Sequence, residues 1–278
     1  MNPPIVILTD FGTTDPYVGI MKGVITQIAP LTPVIDLTHE ISPGDIRQGA
    51  VTLWQSINYF ADGSIFLVVI DPGVGTPRRP IILQNGCHTF IAPDNGVLSF
   101  VCGEDTKAWE VSNPVLALPN PGATFHGRDI FAPAAAHASL GVGASQFGVP
   151  IQELEMLAFP CLEMPNPTEL NGQILYPDRF GNLLTSLGKF TWSNNNHMEF
   201  QPWVGNITPF SAAPESFHME FQDGKLLPWA KTFADIPPGD CAVLLGSSGL
   251  LEIVANRQSA ANLLNLRSDE PVTLRFEP

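Results

Sequence analysis

From its amino end the chain alternates short apolar runs with longer stretches in which apolar residues recur every three or four positions. Ile5 to Thr9 is a β-rich run that stops at Asp10. From Tyr17 to Ile28 the apolar positions Val18, Met21, Val24, Ile25 and Ile28 share a helical face, and Pro30 and Pro33 end that helix. Val34 to Leu37 reads as the next strand and Asp45 to Phe60 as a helix. The Asp62-Gly63 turn then leads into the unbroken apolar run Phe66 to Ile70, which stops at Asp71. Such a run, bounded by turn residues, predicts a strand buried on both faces. Shorter strands are expected near Pro80 to Gln84 and Thr89 to Ala92, followed by the turn Pro93-Asp94-Asn95-Gly96 and an alanine-rich helix from Phe131 to Leu140. This βαβαβ rhythm predicts a largely parallel sheet with helices packed on it.

The pattern changes near Phe159. Pro160 to Pro167 is a proline-rich connector, poor in helix and strand formers alike. Short strand-like runs follow at Gly172 to Tyr176, Asn182 to Ser186, Phe217 to Phe221, Ala242 to Leu245 and Leu250 to Val254, with a helix at Ser259 to Leu264. Turns rich in Gly, Asn, Pro and Ser separate them, which suggests a small barrel or sandwich. The expected fold class is α/β: an N-terminal, mostly parallel sheet with flanking helices over residues 1–163, and a smaller C-terminal β-barrel-like domain over residues 164–278. No internal repeat is visible.

Composition narrows the partners. A chain of 278 residues with 44% hydrophobic content has material for real cores. A net charge of −14 with only 13 Lys and Arg speaks against binding the phosphate backbone of a nucleic acid. Acidity could favour a cationic ligand, but solubility is sufficient reason for it. Cys87, Cys102, Cys161 and Cys241 show neither metal-ligand spacing nor a dense disulfide framework. Met1 to Asp10 holds one short apolar run without a basic lead, so no signal peptide is expected. No segment reaches membrane-spanning length free of Pro, Gly or charge. The expectation is a soluble, cytoplasmic protein with neither a nucleic acid nor a membrane as partner.

Candidate chemistry gathers at strand ends, where open α/β sheets bind ligands. Asp10, Asp36 and Asp71 occupy such ends, with His39 and Asp94 near similar positions. Taken alone these acids resemble the ligands of a metal-dependent hydrolase, although no HxH, HExxH or paired-acid spacing accompanies them. The alternative is that Asp36 and Asp94 cap helices or brace loops. The loop from Asp71 to Arg79, with Gly73 and Gly75, puts a carboxylate and the guanidinium of Arg78 on the rim of one cleft. In Thr124-Phe125-His126-Gly127-Arg128-Asp129, glycine lets the backbone approach a ligand beside His126, which could equally be a structural histidine. Arg128 and Asp129 read as a local ion pair or cap. In Tyr176 to Asn182, Asp178 and Asn182 offer polar edges and Phe180 a flat ring, but the same residues make an ordinary β-turn. Leu245 to Ile253 presents Ser247 and Ser248 as small-residue donors ahead of Glu252, and by itself is a hairpin.

In order, the blocks TDFGTTDPYVG, DLTHEISPGD, DPGVGTPRR, PDNGVLS, TFHGRDIFAP, DRFGN and GSSGLLEIVAN resemble one family from about Ile5 to Asn256. It is that of the adenosine-forming S-adenosylmethionine hydrolases, also called S-adenosylmethionine hydroxide adenosyltransferases, relatives of the nucleophilic fluorinase and chlorinase. The resemblance implies an N-terminal α/β domain, a C-terminal β-barrel-like domain and a homotrimer with sites between neighbouring subunits. It implies an Asp, Arg and His set around a water, falling on Asp71, Arg78 and His126, with no cofactor and no metal. The halogenating relatives lack these three residues, so their presence here favours water over halide. The resemblance also assigns Asp10 to the ribose hydroxyls, Asp178 and Asn182 to the methionine end with Phe180 lining the site, and Ser247 and Glu252 to the adenine side. The halogenating relatives carry an aromatic residue where this chain has Gly44, so that wall must be built differently. Pro160 to Pro167 and Ser193 to Trp229 match no block.

The implied reaction suits these residues. A sulfonium at C5′ leaves as a neutral thioether, so no acid is needed on that side and the poor nucleophile is water. Arg78 can stabilise hydroxide-like charge, while Asp71 or His126 takes the proton, a choice the sequence leaves open. Two other readings remain: a non-catalytic module that binds adenosine or S-adenosylmethionine, and halide transfer.

Overall fold

The computed structural model describes residues 2–194, 196–221 and 224–277, and the chain divides into two compact units, one ending at Leu157 and one beginning at Ala158. In the first unit the strands are β1 (Ile5–Thr9), β2 (Val34–Thr38), β3 (Ile65–Val69), β4 (Pro80–Asn85), β5 (His88–Pro93), β6 (Lys107–Glu110) and β7 (Pro150–Ile151). They form one sheet in the order β2-β1-β3-β5-β4-β6-β7. The pairings among β2, β1, β3 and β5 are parallel, and β4, β6 and β7 extend the sheet antiparallel.

Burial along β1 and β3 explains the unbroken apolar runs. Ile5, Ile7, Ile65, Leu67 and Val69 pack on one face against Met21 and Ile25 of α1 (Tyr17–Ile28) and the alanines of α3 (Ala132–Ser139). Val6, Leu8, Phe66, Val68 and Ile70 pack on the other with Leu53 of α2 (Ile46–Ser56). Asp45 caps α2, its carboxylate accepting from the Gln48 N–H at 2.8 Å. Within α2, Gly49 allows close approach: a Cβ there would stand 2.8 Å from Ile70 Cδ1. The helix expected from Phe131 begins one residue later and is led in by a π-helical turn over Gly127–Phe131. Such turns recur at functional sites.

The second unit holds β8 (Leu162–Asn166), β9 (Glu169–Pro177), β10 (Leu183–Trp192), β11 (Met198–Gln201), β12 (Phe210–Ala212), β13 (His218–Glu220), β14 (Leu226–Pro228), β15 (Cys241–Leu245), β16 (Leu250–Ala255) and β17 (Pro271–Arg275), with α4 (Ala260–Leu264). All its strand pairings are antiparallel. β10 pairs with β9 through its first residues and with β11 through its last, and Gly188 at φ +88° lies in the register break of its ladder with β16, between Leu184 and Lys189. The core is aromatic: Phe190, Phe200 and Phe217 are buried, and the Phe200 and Phe210 rings stack at 4.7 Å. The α/β class with a β-rich second half is thus the observed one; the named strands do not pair into a closed ring, but a parallel bridge between Trp229, next to β14, and Val243 of β15 spans the gap. The proline-rich connector is not featureless: Leu162–Asn166 pairs antiparallel with β9.

Candidate active site

β1 and β3 are parallel neighbours with Thr9 beside Val69, so Asp10 and Asp71 leave the sheet at the same end. The carbonyl of Ile70 is held by Asn95 Nδ2 at 2.9 Å. The chain then folds back: the Val74 N–H donates to the Asp71 carbonyl at 3.2 Å, and the Thr76 hydroxyl donates to that of Gly73 at 2.7 Å. This turn delivers Arg78 to Asp71. Arg78 Nε donates to Asp71 Oδ1 at 2.9 Å and Oδ2 at 3.1 Å, and its Nη2 donates to Oδ2. The same Nη2 donates to His126 Nδ1 at 2.7 Å. Asp71, Arg78 and His126 are therefore one hydrogen-bonded cluster.

The side chains of Arg78 and Asp71 are only 9% and 5% exposed. In such surroundings a fork-like ion pair is strong, and removing one partner strands a charge. The guanidinium lies over the buried Phe131 ring at 5.2 Å, which adds cation–π attraction. Arginine has donors and no acceptor, so His126 Nδ1 must accept, and the neutral ring carries its proton on Nε2. Burial, with the Arg78 charge second, holds the His126 pKa below its ordinary value. The shift favours the neutral imidazole, whose remaining donor is Nε2–H. Arg78 Nη1 makes no hydrogen bond among the described residues, leaving two further N–H groups to offer.

Two glycines permit the assembly. Gly75, at φ +80°, passes so close to the segment before His126 that a Cβ would stand 2.8 Å from the Ala123 carbonyl oxygen. At Gly127 a Cβ would lie 3.2 Å from Met21 Sδ and from the Phe125 ring. Arg128 and Asp129 form a local pair, Nε to Oδ1 at 2.6 Å, and Asp129 Oδ2 also accepts from the Gly122 N–H at 2.8 Å. Their role is to brace the loop carrying His126.

The remaining strand-end acids separate by partner. Asp10 accepts from the Gly44 N–H at 2.8 Å, with Gly44 at φ +75°. Burial raises the Asp10 pKa and the nearby Asp71 charge adds to the rise. Asp36 is engaged elsewhere, by Lys22 Nζ at 2.6 Å and His39 Nε2 at 3.0 Å, while His39 Nδ1 meets the Thr9 hydroxyl at 2.9 Å. Asp94 binds Arg79 Nε at 2.9 Å and the Glu155 N–H at 3.0 Å, so it braces loops as one sequence reading had it.

In the second unit, Asp178, Phe180, Asn182, Ser247 and Glu252 line one cavity of about 880 Å³. The turn reading of Asp178 to Asn182 is also correct. Asp178 Oδ1 accepts from the N–H groups of Phe180 and Asn182, each at 2.8 Å, and Oδ2 accepts from Asn182 Nδ2 at 2.9 Å. A carboxylate offers about four lone-pair positions, so this turn leaves capacity for a ligand donor. Phe180 is 77% exposed, an open aromatic face on the cavity. Glu252 is pushed up to about 7 by burial first and by the Asp178 charge second. Lys231, Phe233 and Arg257 also line the cavity and were not singled out in the sequence. The signal for Phe233 was Thr232-Phe233-Ala234-Asp235, a capping box in which the Thr232 N–H donates to Asp235 Oδ2 at 2.9 Å. Arg257 follows directly on the last recognised block.

The fold and the buried cluster define a two-unit α/β protein equipped for charge chemistry on a small ligand. Comparison with known sequences names the kind. The SAM hydroxide adenosyltransferase N-terminal domain matches residues 5–148 and the corresponding C-terminal domain matches residues 172–273. The chain belongs to the SAM hydroxide adenosyltransferase family. It is 37% identical to the (R)-S-adenosyl-L-methionine hydrolase of Thermus thermophilus, across 98% of this chain and 99% of that one. Identity to the enzyme of the same name from Salinispora arenicola is 34%, covering 95% and 94%. A fluorinase from an Actinoplanes species is more distant, at 27% over 98% and 97%. Among solved structures, a conserved protein from Thermotoga maritima superposes with a TM-score of 0.83 at 32% identity, covering 98% of this chain and 99% of that one.

Proposed function

We propose that this protein hydrolyses S-adenosyl-L-methionine at C5′ of the ribose with an activated water, giving adenosine and L-methionine. The observation that carries the reading is the buried Asp71–Arg78–His126 cluster, in a chain of this family. The thioether leaves without a proton, so the groups act on the entering oxygen. Arg78 and the Nε2–H of His126 donate to that oxygen as it gains hydroxide character. Asp71 takes the proton, because the Nδ1 lone pair of His126 is spent on Arg78, whereas Asp71 Oδ1 accepts only from Arg78 Nε. Held roughly 3–3.5 Å from C5′ and in line with the C5′–S bond, the oxygen displaces sulfur with inversion.

Asp10 holds the ribose hydroxyls, Asp178 and Asn182 the methionine end beside Phe180, and Ser247 and Glu252 the adenine side. The protein is a homotrimer with sites between neighbouring subunits. Since the Thermus and Salinispora relatives are named for the (R) epimer, we assign that sulfonium configuration as the preferred substrate here too.

The test is to incubate the protein with each sulfonium epimer separately, in chloride and a chelator, and to separate the products. Equal amounts of adenosine and methionine are expected, faster from the (R) epimer. Asp71→Ala should lower the rate by at least about 10³-fold. A chlorinated nucleoside would make the protein a halide-using transferase. Intact substrate with tightly bound adenosine would make it a binding module, and equal rates from the two epimers would remove the stereochemical assignment alone.

A further inference from the structure

Beyond the amino end of β3, away from the end that carries Asp71, three side chains with metal-binding atoms converge. Asp62 stands in the turn before β3, Cys87 in the turn between β4 and β5, and His88 opens β5. A carboxylate oxygen, the thiol sulfur and a ring nitrogen all lie within 4.8 Å of one another. Their backbones are joined, with the Gly63 N–H donating to the Cys87 carbonyl at 2.8 Å and the Thr89 N–H to that of Ser64 at 3.2 Å. The His88 ring stands edge-on to the buried Phe66 ring, centroids 5.3 Å apart at 90°.

An independent observation concerns His88 Nδ1. It is buried and has no hydrogen-bond partner, the one such side-chain atom among the described residues. Buried polar atoms are nearly always satisfied, so an orphaned imidazole nitrogen on a residue that shares a corner with a thiol and a carboxylate calls for a partner.

We propose that Asp62, Cys87 and His88 bind a thiophilic divalent cation of the zinc class. One sulfur, one imidazole and one carboxylate form a donor set suited to a borderline-soft ion, and a water completes four-coordination. On binding, the Cys87 thiol gives its proton to solvent and the sulfur–metal bond forms, with no change of oxidation state. Coordination through Nδ1 gives the orphaned nitrogen its partner. Metal–sulfur and metal–nitrogen bonds of about 2.3 Å and 2.0 Å need the three donors, now within 4.8 Å of one another, to close in by at most about 1 Å. Asp62 and Cys87 are exposed and free to turn inward, while His88 is held by its packing. The strand β3 separates this place from Asp71 by roughly 15 Å. The ion therefore ties the β4–β5 hairpin to the start of β3 and takes no part in the chemistry at Asp71.

The experiment titrates reduced, metal-free protein with cobalt(II), then with zinc(II), in the wild type, Cys87→Ser and Asp62→Asn. Both substitutions fall on exposed residues, so folding should survive, and circular dichroism verifies it. The wild type should take up one equivalent with a thiolate-to-cobalt charge-transfer band that zinc abolishes. Cys87→Ser should lose the band, and Asp62→Asn should bind at least about tenfold more weakly. Zinc should raise the unfolding temperature of the wild type and leave that of Cys87→Ser unchanged. The proposal is overturned if the folded wild type shows no band, if the band persists in Cys87→Ser and so comes from another thiol, or if the three proteins bind alike.

Discussion

Arg78 has N–H groups and no acceptor, so each of its partners must accept, and this orders the protons around it. Asp71 accepts through both carboxylate oxygens and His126 through Nδ1. Burial first and the Arg78 charge second lower the His126 pKa, and protonating Nδ1 would in addition set an N–H against the guanidinium. The working form of the cluster thus has neutral His126. A depressed histidine pKa contributes stability that is full above the ordinary value of about 6.5 and is lost as pH falls through the lower folded value. In the Glu252→Gln variant, where the carboxyl pushed up to about 7 no longer titrates, kcat/KM should be level from pH 7 to 8 and decline only below about pH 6.5. His126→Phe should lower kcat by about 10²-fold or more. A rate profile whose acid limb is centred above pH 7 would contradict the assignment. The meeting of Asp71 and Arg78 was legible, because Asp71 ends an apolar run and the glycine loop returns Arg78 to it, whereas His126 joined them only through the family resemblance. The tautomer was not, since it depends on a contact between Arg78 and a residue far along the chain.

Among the elements, the turn at Asp178 to Asn182 shows how tightly the ligand cavity is built. Gly181 lies at φ +82°, and a Cβ there would overlap Ser259, the residue that caps α4. Gly181→Ala should cost about 2 kcal/mol or more of stability from backbone strain and crowding, read from urea denaturation. Since the turn positions Asp178 and carries none of the reacting groups, KM should rise more than kcat falls. Unchanged stability would mean that the turn re-forms around the methyl group. The strands of the first unit were legible because both faces of β1 and β3 are buried, leaving uninterrupted apolar runs. β8 escaped notice because Pro165 reads as a breaker, yet β8 pairs with β9 alone among the described strands, and an edge tolerates proline. β17 alternates buried Val272 and Leu274 with more exposed neighbours, a period-two signal that was present but short. In Ser193 to Trp229 the strands run to only three or four residues: the expected run Phe217 to Phe221 holds β13, whereas β11, β12 and β14 were too short for a period to show.

For the molecule as a whole, the alternation of strands and helices and the switch to a β-rich second half gave the fold class, and the ordered motif blocks alone carried the resemblance to the family. Assembly has no such local code. If sites are built between neighbouring subunits, the protein should sediment at three times the chain mass, and dilution to monomer should remove activity before it removes secondary structure. Full specific activity in a monomer would contradict that assembly. None of the assigned catalytic groups needs a metal, and activity should therefore survive a chelator even if zinc stabilises the Asp62–Cys87–His88 corner. The central claim is that the Asp71–Arg78–His126 cluster sends the oxygen of water to C5′. The most direct test is turnover of S-adenosyl-L-methionine in ¹⁸O-water, with mass analysis of both products. The expected result is one labelled oxygen in the 5′-hydroxyl of adenosine, none in methionine, and labelled adenosine formed at least about 10³-fold more slowly by Asp71→Ala. Unlabelled adenosine, label on the methionine-derived fragment, or labelling by the variant at the wild-type rate would contradict it.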